Sequence, residues 1–109
     1  MYFLMICRHR DNVSDLRDRL RPAHREHVAS GGGGLARVLT GSALRENDTD
    51  AGIGNFGILE AASLEQAMAF AEQDPFNTGG VVADIKMTRL ADTFQAQRID
   101  PMTVPGGAS

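Results

Sequence analysis

The spacing of apolar residues along this chain alternates between strand-like and helix-like periods, and each change predicts an element. Tyr2-Phe3-Leu4-Met5-Ile6-Cys7 is too short for a stable helix and is apolar at both parities, with Phe3, Met5 and Cys7 on one face and Tyr2, Leu4 and Ile6 on the other. That pattern predicts a strand covered on both sides. Arg8 to Asn12 reads as a polar exit loop. Val13, Leu16 and Leu20 then recur at helical spacing, with Ser14 or Asp11 able to cap. A proline in a helix interior costs about 3 kcal/mol. Pro22 therefore predicts one short helix ending near Leu20 and a second starting at Pro22, which carries His24 and Val28 on one face.

Gly31 to Gly34 follows this helix, and it lacks both the lysine of a phosphate-binding loop and G-x-G-x-x-G spacing. A helix C-cap with a turn is the better reading. Leu35 to Thr40 predicts a second strand closed by Gly41, Leu44 to Gly54 a surface hairpin loop, and Phe56, Ile58 and Leu59 a third strand. Ser63-Leu64-Glu65-Gln66 is a capping box that starts a helix with Leu64, Ala67, Met68 and Ala71 as its buried stripe. Pro75 bars Asp74 from helical geometry and stops that helix near Gln73. Val81, Ala83, Ile85 and Met87 alternate with Asp84, Lys86 and Thr88, a fourth strand with one wet face. From about Asp92 the chain is polar and then rich in Pro and Gly, which predicts a domain over residues 1–92 and a loose C-terminal tail over 93–109.

The order strand, helix, strand, strand, helix, strand is that of an α+β, ferredoxin-like βαββαβ sandwich with both helices on one face of an antiparallel sheet. The other face is left bare and is apolar on the first strand, which predicts a homodimer joined sheet to sheet. At 109 residues there is room for one core, and a net charge of -3 with mixed signs leaves no extended basic face. Nucleic acid and membrane are excluded as expected partners. The lone Cys7 suits a reducing compartment, and no signal-peptide pattern leads the chain, so a cytoplasmic location is expected.

Two short segments carry candidate chemistry. Arg21-Pro22-Ala23-His24 and Asp74-Pro75-Phe76 each set an ionisable residue near a proline at a predicted helix boundary, where its direction is fixed. At a helix C-terminus the free carbonyls disfavour an isolated carboxylate, so Asp74 calls for a nearby cation. His24 can supply it, with the carboxylate orienting the imidazole for general acid or base work. The plainer reading makes Asp74 a turn-former and His24 a half-buried face residue. His27 lacks a third partner for a metal and reads as solvated helix face, and His9, between two arginines, as surface. Arg8 at the first strand's end is a candidate anion binder and Ser42 a candidate donor to a substrate oxygen. No metal and no organic cofactor are expected.

The Arg21-Pro22-Ala23-His24 run, the glycines, a strand ending Thr40-Gly41-Ser42, then Ser63-Leu64-Glu65-Gln66-Ala67 and Asp74-Pro75-Phe76 with Gly79-Gly80-Val81 together resemble the YCII family of small dimeric α+β barrel proteins. The likeness covers roughly residues 1–92. It implies an active site of His24 and Asp74. In a relative that works on chlorinated aromatics the matching pair is assigned to dehydrochlorination, and the fold also resembles muconolactone isomerases. The extra glycines and long tail depart from the family pattern. The function implied is proton transfer by a lyase, dehydrochlorinase or isomerase on a small organic acid or aromatic, with Phe76 and the first strand lining the pocket. The competing reading is a non-catalytic metabolite-binding or regulatory module that uses the same cleft.

Overall fold

The computed structural model describes residues 1–101; the remainder of the expected tail, 102–109, lies outside the described residues. Four strands form one antiparallel sheet: β1 (Tyr2–His9), β2 (Arg37–Arg45), β3 (Gly52–Glu60) and β4 (Val82–Arg89), in the order β2-β3-β1-β4. Helices α1 (Ser14–Gly34), α2 (Leu64–Gln73) and the single turn α3 (Pro75–Thr78) follow β1 and β3. This is the α+β, ferredoxin-like arrangement that the order of elements predicts. Among the described residues no helix is long and apolar enough to cross a membrane.

The core lies between sheet and helices. Phe3, Met5 and Cys7 of β1 point into it, and beside them Leu59, Ala67, Phe70, Phe76 and Val81 are buried. Tyr2, Leu4 and Ile6 take the opposite face, where Ile6 is 37% exposed. There the chain after β4 folds back, and the rings of Phe94 and Tyr2 meet with centroids 5.6 Å apart.

Several boundaries differ from the sequence reading. β1 runs on through Arg8 and His9, since His9 keeps the inward parity of Phe3, Met5 and Cys7 and is only 6% exposed. α1 is not broken at Pro22, which sits inside the helix. Leu16 and Leu20 before the proline and Val28 after it pack on the same core, and that shared burial offsets one missing backbone bond. The helix is capped by neither Ser14 nor Asp11: its first flanking residue is Val13, with no side-chain cap.

Gly41 does not close β2. It stands opposite Gly57 in a ladder that continues to Arg45. The hairpin loop is correspondingly shorter than Leu44 to Gly54. On α2 the Ser63 hydroxyl accepts from the Gln66 N–H at 3.1 Å, as a capping box requires. The buried arc, however, is Ala67, Phe70 and Ala71, while Leu64 is 52% exposed.

The glycine run ends α1. Gly31, Gly32 and Gly33 have φ of 62°, 66° and 77°, and the Gly31 carbonyl accepts from the N–H groups of Leu35 and Ala36 at 2.9 and 3.1 Å. A Cβ on Gly31 would lie 1.9 Å from the Ala36 carbonyl oxygen, so both its conformation and its packing require glycine.

Candidate functional site

Because α1 is continuous, Leu20, His24 and Val28 lie four apart on one face, and the core contacts of Leu20 and Val28 turn His24 inward. Asp74 reaches it from the corner between α2 and α3, which packs beside α1. The residue ends α2 and begins α3, its φ of -58° and ψ of 131° set by the proline that follows. It is therefore not simply at a helix C-terminus: its Oδ1 also accepts from the Phe76 N–H at 2.9 Å, in the first turn of α3.

His24 Nδ1 lies 2.9 Å and 2.8 Å from the two Asp74 carboxylate oxygens. A carboxylate only accepts, so Nδ1 carries a proton, and in the neutral ring the lone pair is on Nε2. The side chains of His24 and Asp74 are 17% and 6% exposed. The imidazole also stacks on Phe76, centroids 4.0 Å apart. One tripeptide, Asp74-Pro75-Phe76, thus holds both the edge and the face of one ring.

His24 borders a cavity of about 460 Å³ between α1 and the β2–β3 side of the sheet, with Asp74 buried behind it. Register explains why there is room: Gly57 stands opposite Met5 on one side and Gly41 on the other, so three strands present one side chain where they would normally present three. Phe70 and Phe76 supply aromatic walls, and Arg17, Arg21, Arg25 and Arg45 bring positive charge to the border.

His9 belongs to this site. Sequence reading placed it at the surface, yet it lines the cavity, and its ring meets Phe76 edge-on with centroids 5.6 Å apart. Its Nδ1 accepts from Arg17 Nε–H at 3.2 Å, and its Nε2 lies 2.7 Å from Asn55 Oδ1. Burial pulls its pKa below the ordinary value; the Asn55 bond opposes this, and the charges of Arg17 and His24 add to it. Strand parity was the signal that pointed to His9. Asn55 had none, because only the register of β3 against β1 brings it beside Cys7 on the inward face.

The remaining candidates lie elsewhere or are engaged. Arg8 is exposed, does not border the cavity, and is set by register opposite Asp84 on the outer face of the sheet. Ser42 borders the cavity, but it is exposed and its hydroxyl donates to the Ala43 carbonyl at 2.9 Å. His27 is not solvated face: its Nε2–H donates to the Phe70 carbonyl at 2.8 Å and its ring stacks on Phe70. Cys7 is buried, and its thiol is pushed up to about 12, first by desolvation and then by the negative charges of Asp74 and Asp84.

The family model of the YCII-related domain matches residues 1–91. Among solved structures, one similar fold is 5-chloro-2-hydroxyhydroquinone dehydrochlorinase (TftG) from Burkholderia phenoliruptrix AC1100, in complex with 2,5-dihydroxybenzoquinone. The TM-score is 0.72 at 24% identity, over 84% of this chain and 94% of the other. No curated protein matches the sequence.

Proposed function

This chain belongs to the YCII-related family, and from that premise we propose that it is a small acid–base enzyme acting on a hydroxylated aromatic, a quinone or a related small organic acid. The observation that carries the proposal is the His24–Asp74 contact: a buried carboxylate fixes the tautomer of an imidazole whose free nitrogen belongs to a cavity-lining ring. His24 Nε2 takes a proton from a ligand hydroxyl or acidic carbon, and Asp74 stabilises the imidazolium that forms. Return of that proton to another ligand atom gives an isomerisation. Departure of chloride with its bonding electrons, balanced by the proton removed, gives a dehydrochlorination.

The similar structure supports this reading, because that protein carries such a reaction in its name and was solved with a dihydroxylated quinone. Phe76 forms a wall of the pocket, and Ser42 at its border offers a further contact. The reading includes a cytoplasmic homodimer joined through the outer sheet face, where Ile6 is exposed.

The test is chloride release from 5-chloro-2-hydroxyhydroquinone, together with turnover of a panel of hydroxylated aromatics and small lactones. His24→Ala should reduce turnover by roughly 10²–10⁴-fold, the usual contribution of a positioned acid–base group. Equal turnover in wild type and variant overturns the proposal. The basic border of the cavity favours a second reading, a non-catalytic module that holds an anionic metabolite. In that case no panel member turns over, and His24→Ala changes affinity alone.

A further inference from the structure

Arg17, His9 and Asn55 form a chain of hydrogen bonds whose direction is set by chemistry. A guanidinium can only donate. Arg17 Nε–H therefore donates to His9 Nδ1, which must be the bare nitrogen, and the proton of the neutral ring must sit on Nε2. That Nε2–H donates to the Asn55 carbonyl oxygen at 2.7 Å. The amide of Asn55 is then fixed with its oxygen toward His9, leaving its NH₂ without a hydrogen-bond partner among the described residues. Asn55 borders the cavity, as do His9 and Arg17.

The chain is also built into the fold. His9 and Asn55 are held on neighbouring strands with one face toward the helices, and Arg17 bridges from α1 to the Gly52 carbonyl at 3.4 Å. Gly52 leaves the space that Arg17 occupies, since a Cβ there would lie 2.5 Å from a guanidinium nitrogen. Phe76 contacts both imidazoles, stacked on His24 and T-shaped to His9. The Arg17–His9–Asn55 chain and His24 thus border one cavity.

We propose that Arg17 and His9 are positioning residues that turn the Asn55 amide so that its NH₂ donates to a carbonyl or phenolate oxygen of a ligand in the cavity that His24 also borders. This rests on the cavity being the ligand site of the reading above, and it names the recognised group: an oxygen that gains negative charge as the proton leaves. A preset donor aimed there stabilises the developing charge without reorganising.

Two measurements test the proposal, and neither needs turnover. Imidazole nitrogen NMR of the wild-type protein should show His9 as the neutral Nε2–H tautomer through neutral pH, and Arg17→Met should release it into a tautomer mixture. Finding Nδ1–H in the wild type, or no change in Arg17→Met, overturns the relay. Binding of 2,5-dihydroxybenzoquinone, measured by calorimetry, should weaken about tenfold or more in Asn55→Asp, which removes the donor but keeps the shape. It should weaken in Gly52→Ala, whose Cβ presses first on the Arg17 guanidinium. Unchanged affinity in Asn55→Asp, or no affinity in the wild type, overturns the donor role. If Asn55→Asp binds normally while His24→Ala is inactive, the relay fails and the acid–base reading stands. If affinity depends on Asn55 but nothing turns over, the reverse holds.

Discussion

The imidazole of His24 lies flat on the phenyl ring of Phe76, with centroids 4.0 Å apart and planes 5° from parallel. Hydrogen bonds to Asp74 fix the edge of the imidazole, and this contact fixes its tilt. Replacing Phe76 by Leu keeps an apolar side chain in the buried position but removes the flat support. Urea unfolding should show a loss of about 1–2 kcal/mol, from reduced burial and the missing ring contact. Turnover should fall further than stability alone explains, because the imidazole gains freedom to tilt.

Asp74 has two hydrogen-bond duties, and two substitutions separate them. Asp74→Ala leaves the Phe76 N–H and the His24 Nδ1–H without their acceptor in a buried place, which should cost about 2–4 kcal/mol on the usual scale of an orphaned polar group. Asp74→Asn keeps an oxygen for the Phe76 N–H, so most of that stability should remain in denaturant unfolding. Activity should nevertheless drop, because a neutral amide does not stabilise an imidazolium.

The depressed pKa of His9 makes stability depend on pH. The unfolded chain takes up a proton at His9 near the ordinary value of about 6.5, and the folded protein does so only at lower pH. The unfolded state therefore binds more protons between those two values. The contribution of His9 is fully present above about pH 6.5 and is lost as pH falls toward the folded value. Unfolding midpoints measured from pH 8 down to pH 5 should decline in the wild type, and decline less in His9→Gln.

Cys7 shifts the other way. Its thiol, pushed up to about 12, stays protonated in the folded protein throughout the neutral range. Iodoacetamide at pH 8 should leave the native protein unlabelled and label it in urea, as mass spectrometry would show. Stability should also fall as pH rises above the unfolded thiol's value of 9.0, because only the unfolded chain then releases the proton.

The proline corner at Asp74-Pro75-Phe76 was legible because Pro75 acts locally: it restricts Asp74 and starts the next turn whatever surrounds it. The alternation in β1 and β4 and the capping box at Ser63 were legible for the same reason. Pro22 was misread because its local penalty competes with packing on both sides of it, and a sequence shows only the penalty. His9 was hidden by composition, since two flanking arginines suggested a loop where parity continued the strand. Asn55 could not be found by any local rule. Its role depends on which strand lies beside it and on an arginine from a helix thirty-eight positions earlier in the chain.

The bare sheet positions at Gly41 and Gly57 separate two properties of the pocket. The His24–Asp74 pair sits on α1 and on the corner before α3, while the room in the cavity is set by β2 and β3. A side chain at Gly57 would first meet the flexible end of Met5, at 3.3 Å from its Cβ, and one at Gly41 would press on the Phe56 carbonyl oxygen at 2.6 Å. Gly57 is thus the adjustable position and Gly41 the rigid one. The space in the cavity can be narrowed from the sheet without touching the His24–Asp74 pair.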